Sequence, residues 1–289
     1  MGKIRVGISG WRYKGWRAGK FYPEDLAQKD ELAFASQRFD TIEINGSFYA
    51  LQRPSSYRAW AKETPPNFVF SVKGGRFITH LKRLKDVEIP LANFFASGVL
   101  ALEEKLGPFL WQLPPGFRFE AGRLDAFLNL LPRNSDAAGK LAGKHDHHLK
   151  ERAVLRTSRK HRLRHAMEVR DESFACEAFV NLLKKHRVAL VVADTGGKWP
   201  YLEDLTADFV YLRLHGSEEL YASGYGDAGL DYWEPRIRAW NSGGEPPDAK
   251  RVGGKAATRK TGREVFVYFD NDAKAGAPHD AMRLIERLA

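Results

Sequence analysis

Residues 41–45, Thr-Ile-Glu-Ile-Asn, alternate polar and apolar side chains with a period of two. Successive strand residues point to opposite faces, so this stretch reads as a strand with one polar and one apolar face. Comparable stretches fall at 4–9, 68–73, 107–113, 166–170, 209–215 and 264–270, and an apolar run at 188–194 reads as a strand covered on both sides. Two architectures accommodate such strands. An antiparallel sheet turns the polar face to water, whereas a closed parallel barrel turns it inward and packs the apolar face against helices. What lies between the strands decides for the barrel. Helical material is expected over 24–39, from Pro54 to the stop at Thr64-Pro65-Pro66, and over 86–105, 123–131, 174–186, 233–240 and 278–288. Eight strands separated by helices or helix-sized connectors over 289 residues predict an α/β fold, a single (β/α)8 TIM-type barrel spanning 1–289. A doubly wound open sheet is the alternative. It calls for a glycine-rich dinucleotide turn after an early strand, and Gly7-Ile8-Ser9-Gly10-Trp11 lacks the GxGxxG spacing.

The polar residues of the strands share one parity. Arg5, Gly7 and Ser9, Glu43 and Asn45, Ser71 and Lys73, Gln112, Glu168 and Arg170, Tyr211, Arg213 and His215, and Tyr268 and Asp270 each oppose apolar neighbours, and Asp194 ends the sixth strand. The charged members lie late in their strands, at the end where barrel active sites are built. They are expected to converge on one pocket. Buried charge must be compensated. The acids Glu43, Glu168, Asp194 and Asp270 face the bases Lys73, Arg170 and Arg213, with His80 and His215 supplying the balance. One reading is a self-neutralising lattice that holds the barrel end together; the other is a grip on a ligand. Trp11, Trp16, Tyr22, Phe48 and Tyr49 follow the first two strands and suit a stacked sugar or base, or pack as a cap over the barrel mouth.

The net charge is +10, and its placement matters more than its size. Residues 138–165 hold nine Lys/Arg against two acids, residues 241–262 hold five against two, and the rest of the chain is neutral. The first segment is a basic, helix-like connector. The second is rich in Gly and Pro and predicts a mobile loop. A basic face attracts nucleic acid, or simply solvates the surface. No run of 18 apolar residues occurs, so no membrane partner is expected. The single cysteine, Cys176, excludes an internal disulfide, and with no apolar signal-peptide core at the start a cytoplasmic location is expected. Cys176 falls in a helical packing stripe. The tract His145-Asp146-His147-His148 has the composition of a metal site, but its polar setting reads as solvated surface.

The motifs Ser9-Gly10-Trp11, Gly15-Trp16, Phe21-Tyr22-Pro23, Thr41-Ile42-Glu43-Ile44-Asn45, Phe48-Tyr49, Phe70-Ser71-Val72-Lys73, Ile78-Thr79-His80, Gln112-Leu113-Pro114-Pro115, Glu168-Val169-Arg170, Ser173-Phe174 and Tyr268-Phe269-Asp270-Asn271-Asp272 occur in that order. Together they resemble the YecE-like family, domain of unknown function 72, over nearly the whole chain. The resemblance implies one barrel of the kind derived above and carries no activity with it. Asp270 stands where the family usually has Asn, and the loop before the last strand is longer than in compact members.

Three chemistries suit the expected pocket. Glu43 with Glu168 or Asp194 forms a general acid/base pair for hydrolase or lyase chemistry, given the required separation. Lys73, Arg170 and Arg213 favour an anion, most simply the phosphate of a phosphorylated or sugar-containing ligand, oriented by Trp11, Asn45, Tyr49, His80, Gln112, His215, Tyr268, Asp270 and Asn271. Glu168, Asp194, His215 and Asp270 are also the donor types of a divalent-metal phosphoesterase of the AP endonuclease-like kind. Cations in the same pocket argue against the metal, and no cofactor is expected. Ser9 has no GxSxG setting, which argues against a serine hydrolase. A non-catalytic nucleic-acid-binding module using 138–165 is the reading from a different class.

Overall fold

In a computed structural model of the chain, which describes residues 2–149, 152–216, 220 and 223–289, eight parallel strands close into one barrel. The strands are β1 Ile4–Ser9, β2 Thr41–Ile44, β3 Val69–Lys73, β4 Leu106–Gln112, β5 His165–Glu168, β6 Ala189–Asp194, β7 Phe209–Leu214 and β8 Glu264–Phe269. Each pairs with its sequence neighbour, and β8 returns to β1 with Ile4 opposite Val265 and Ile8 opposite Phe269. The (β/α)8 expectation holds, with strand limits within two residues of those read from the pattern.

The helices are α1 Glu31–Ser36, α2 Gly46–Tyr49, α3 Pro54–Glu63, α4 Glu88–Ala96, α5 Ala121–Leu130, α6 Ser135–Ala142, α7 Glu177–His186, α8 Asp227–Asn241 and α9 Gly276–Leu288. Their starts have local causes. Pro54 sits in the first turn of α3, where its missing N–H costs nothing. The Glu120 carboxylate accepts from Gly122 and Arg123 at the start of α5, and Asn134 accepts from Ala137 at the start of α6. Among the described residues no helix is long and apolar enough to cross a membrane.

Three connectors depart from expectation. The basic segment is helical only to Ala142, apart from a short turn at His147–Leu149. Its later part is held instead by backbone bonds at its flanks, Val154 N to Ala96 O, Ser135 N to His161 O and Leu163 N to Arg133 O. Lys150 and Glu151 lie outside the described residues. Between β6 and β7 no helix forms. There Glu203 and Asp204, both buried, face the 241–262 loop. Lys250 N donates to Glu203, and Val252 N and Gly253 N donate to Asp204. The loop expected to be mobile is therefore anchored at its middle, by two acids that satisfy its free amides.

The sheet separates two apolar layers. Outward residues such as Ile8, Ile42, Phe70, Trp111, Val192 and Leu212 belong to the layer packed by helices. Inward residues Leu110, Ala166, Val191, Tyr211, Phe266 and Tyr268 form a second cluster in the lumen. Thr41, Glu43, Ser71 and Arg213 share the inward parity and are buried, as the alternation required.

Candidate functional site at the barrel mouth

The lumen is plugged by polar side chains stacked in layers. Thr41 Oγ1 and Tyr268 OH meet at 2.7 Å, and Ser71 Oγ and Tyr211 OH at 2.6 Å. Tyr211 donates to Glu43 Oε2 at 2.6 Å. Above them lies Arg213, fully buried at the end of β7. Its guanidinium reaches three carboxylates: Glu43 Oε1 at 2.9 Å, Glu168 Oε2 at 2.7 Å and Asp270 Oδ2 at 2.9 Å. A planar fork with five donors is the one side chain that spans several acids in this way. Ser9 donates to Glu43 Oε1, Gln112 and Arg170 both donate to Glu168 Oε1 at 2.8 Å, and His215 Nδ1 lies 3.0 Å from Asp270 Oδ2. Three acids and the cations Arg213, Arg170 and Lys73 make the assembly neutral without Asp194. Burial pushes the Glu168 carboxyl up, but Arg170 and Arg213 outweigh it and hold it well below the usual range. Burial likewise opposes Asp270, and Arg213 with His215 brings it down.

Above this lattice opens a cavity of about 750 Å³. Its wall comes chiefly from the loops after β1, β2 and β3. Gly10 takes φ +82, which turns the chain sharply out of β1, and its amide is tied to Glu43 O. Trp11 follows, edge-on to Trp60 of α3 at 5.2 Å, and Tyr13 OH donates to Ser9 O at 2.6 Å. On the β2 side, Ser47 donates to Lys73 O at 2.7 Å and pins α2 against the end of β3. That places the Phe48 ring 4.5 Å from Lys73 Nζ. Gly74 lets the chain lie flat on Trp111, since a Cβ there would sit 2.3 Å from the indole. The following turn, Phe77–Leu81, carries His80, whose Nδ1 lies 2.8 Å from Thr79 Oγ1 and whose ring stands edge-on to Phe48.

Lys73 differs from the other cations of the site. It is nine-tenths buried and lines the cavity, and among the described residues no oxygen or nitrogen accepts from its ammonium. Burial, then the Arg213 charge beneath it, lower its pKa to about 8. Burial and the Lys73 charge lower His80 to about 4, so its imidazole is neutral at pH 7. Trp11 Nε1 and Asn45 Oδ1 are also buried without a protein partner.

The expected residues thus fall into three groups. Trp11, Asn45, Tyr49, Lys73, His80, Gln112, Arg170 and Asp270 line the cavity. Glu43, Glu168, Arg213 and His215 converge as expected but lie beneath its floor, with the carboxylate oxygens taken by protein donors. Tyr268 is deeper still, in the lumen. The last group does not converge. Ala193 pairs with inward Arg213, so Asp194 has the outward parity. It accepts from Tyr225 OH at 2.9 Å in a separate shallow cleft beside Tyr201 and Lys250, where burial raises its pKa. Asn271 is turned back to Asp280 of α9, donating at 2.9 Å. The causes differ: β6 is apolar on both faces and offers no polar alternation from which to read Asp194, whereas Asn271 lies past the end of β8 and follows the exit loop.

Of the aromatic set, Trp16 and Tyr22 are core. Trp16 Nε1 donates to Asp272 O at 2.9 Å and Tyr22 OH to Trp11 O at 2.5 Å. Sequence reasoning missed Arg12, Tyr13, Gln52, Trp60, Arg76 and Asp272 on the cavity wall. Their signal was position alone: each lies in, or in the helix after, an exit loop already implicated. The metal donor set does not assemble, because Glu168 and Asp270 are held by Arg213 and Asp194 faces away. Among the described residues only Asp146, His147 and His148, on the surface, bring three such donors within 4.8 Å. In the basic connector, Lys144 pairs with Glu88, Lys160 with Asp136, Arg162 with Asp208 and Arg164 with Glu264.

Known proteins show the same architecture. The chain superposes on a crystal structure of a DUF72 family protein from Thermotoga maritima MSB8 with a TM-score of 0.73 at 23% identity, covering 99% of both chains. A DUF72 family protein of Enterococcus faecalis V583 gives 0.69 at 17% identity, over 99% of this chain and 95% of that one. The UPF0759 protein YunF of Bacillus subtilis (strain 168) is 32% identical over 122 residues, 39% of this chain and 41% of YunF. The UPF0759 protein YecE of Escherichia coli (strain K12) is 28% identical over 131 residues, 45% of this chain and 44% of YecE. These matches span less than half the length of the curated relatives. The family model described as "Protein of unknown function DUF72" matches residues 5–289, so the chain belongs to the DUF72 family.

Proposed function

We propose that the barrel-mouth cavity binds a small phosphorylated or sugar-containing ligand, with Lys73 as its anionic anchor. The observation that carries this reading is Lys73, a residue nine-tenths buried whose ammonium meets the cavity and has no acceptor among the described residues. A largely desolvated ammonium without a direct acceptor is poorly satisfied, and a bound anion supplies the charge-assisted hydrogen bond it lacks. Arg12 and Arg76 at the open rim add positive charge, and Trp11, Phe48, Tyr49 and Trp60 offer ring faces and edges for a sugar. The volume falls in the range usual for small-ligand sites. Gln112 and Asn45 supply amide groups to orient hydroxyls.

Acid/base chemistry of the hydrolase or lyase type is compatible with this pocket, though its proton carriers differ from those first expected. Glu43 and Glu168 support the floor. His80 and Asp270 line the cavity and have access to a ligand, and the His80 imidazole is neutral at pH 7.

The test is calorimetric titration with ribose 5-phosphate, inorganic phosphate and neutral ribose. We expect saturable binding of the phosphorylated sugar and a loss of tenfold or more in Lys73→Met, matching the roughly 1.5–3 kcal/mol of a charge-assisted hydrogen bond. Equal affinity in Lys73→Met, or no discrimination against ribose, would remove Lys73 as anchor.

A further inference from the structure

We propose that Lys73 is also a covalent attachment point: its ε-amino group condenses with the aldehyde or keto carbon of a small sugar phosphate held in the cavity, giving an imine. This rests on the ligand-binding reading above and names the substrate class as open-chain carbonyl compounds. Four observations support it.

The first is the environment of the amine. Arg213 and Arg170 are consumed by carboxylates at 2.7–2.9 Å, whereas Lys73 Nζ lies over the face of Phe48 at 4.5 Å and, among the described residues, makes no hydrogen bond or ion pair. No carboxylate among the described residues holds it protonated by direct contact. The second is its basicity. With a pKa near 8, about a quarter of the amine is neutral and nucleophilic at pH 7.5, against about 0.1% for a lysine of ordinary pKa. Burial and the fixed Arg213 charge below both act in this direction.

The third is a proton relay. His80 stands edge-on to the same Phe48 ring at 5.0 Å, is neutral at physiological pH, and keeps Nε2 unpartnered among the described residues because its Nδ1 is turned to Thr79. The fourth is the disposition of charge around the opening. Arg12 and Arg76 line the same cavity at its exposed rim and pair with no acid among the described residues. For a carbonyl ligand the phosphate sits on these two guanidinium groups instead of on the Lys73 ammonium, and the carbonyl end is left for the amine.

The step balances without any further reagent. The neutral nitrogen's lone pair attacks the carbonyl carbon, and the C=O π pair moves to oxygen, which is protonated. His80 shuttles a proton from nitrogen to that oxygen in the resulting carbinolamine. The C–O bond then breaks, oxygen leaves as water, and the nitrogen lone pair forms C=N. Overall one ammonium and one carbonyl give one protonated imine and one water.

The experiment traps the imine on the wild-type protein. Glyceraldehyde 3-phosphate or ribose 5-phosphate is incubated with sodium cyanoborohydride at pH 7.5, and modified lysines are mapped by peptide mass spectrometry. We expect one adduct, at Lys73, formed at least tenfold faster than at any other lysine, with a rate that rises to half its maximum near pH 8. Excess inorganic phosphate should slow it. Lys73→Arg should give no adduct at the site, while the remaining lysines label at their wild-type rates. Label spread over other lysines with none at Lys73 overturns the imine. If ribose 5-phosphate nevertheless binds in calorimetry, the anion-binding reading survives that failure. An adduct with glyceraldehyde as fast as with its phosphate keeps the imine and sinks the phosphate anchor.

Discussion

Arg213→Met separates the charge of the buried hub from its volume. The guanidinium is wholly buried and reaches Glu43, Glu168 and Asp270 at 2.9, 2.7 and 2.9 Å. Removing one partner of a buried ion pair costs about 3–5 kcal/mol, because the other charge is left uncompensated. Here three acids lose their shared cation, so the upper end of that range is expected at pH 7.5. Domains are stable by only about 5–15 kcal/mol, so the loss is visible in a urea melt followed by circular dichroism. The pH dependence gives the sharper test. In the wild type, Glu168 and Asp270 have folded pKa values below their unfolded ones. Their contribution is complete above the unfolded values, near pH 4, and is lost only as pH falls through the lower folded values. Between pH 7.5 and 5.5 they contribute no slope. In the variant, Asp270 loses the largest influence that lowers it, and burial, which raises it, prevails. The folded state then binds more protons than the unfolded state, so the variant gains stability as pH falls from 7.5 to 5.5. A loss under about 1 kcal/mol at pH 7.5, or a gap to wild type that widens on acidification, would refute the hub.

Two further outcomes test the description of the walls. Gly74→Ala pushes a methyl group to 2.3 Å from the Trp111 ring, so a loss of about 1–3 kcal/mol is expected in thermal unfolding; an unchanged Tm would show that β3 exits by another path. Asp194→Asn should leave ribose 5-phosphate affinity within twofold of wild type, since Asp194 faces Tyr225 and not the cavity; a tenfold loss in the same titration would return it to the site.

Period-two alternation carried most of the fold because a barrel strand has only two faces. Glu43, Ser71, Tyr211 and Arg213 were placed in the lumen by parity alone, and they are there. Parity says nothing about depth along the axis. The sequence therefore showed that Glu43 and Lys73 share a side without showing that Glu43 is sealed below Arg213 while Lys73 meets open space. Parity could not be read for Asp194, because β6 is apolar on both faces, and it fails past a strand's end, which misplaced Asn271. The anchors of the 241–262 loop stayed hidden for a different reason. Gly and Pro signal the lack of regular structure, but anchoring depends on Glu203 and Asp204, 47 and 49 residues from the amides they hold, and no local pattern links them.

Synthesis runs from β1 to β8, and in the closed barrel β8 returns to β1, so residues made first and last meet at the mouth. A nascent chain displays Trp11, Asn45 and Lys73 early, but Arg213 is made much later and Asp270 later still. Until then Glu43 has no guanidinium to neutralise it, and Lys73 is an ordinary solvated amine. The cavity wall draws on residues from Gly10 to Asp272, so the finished mouth needs both ends of the chain. A ligand that binds only the closed barrel stabilises it by mass action.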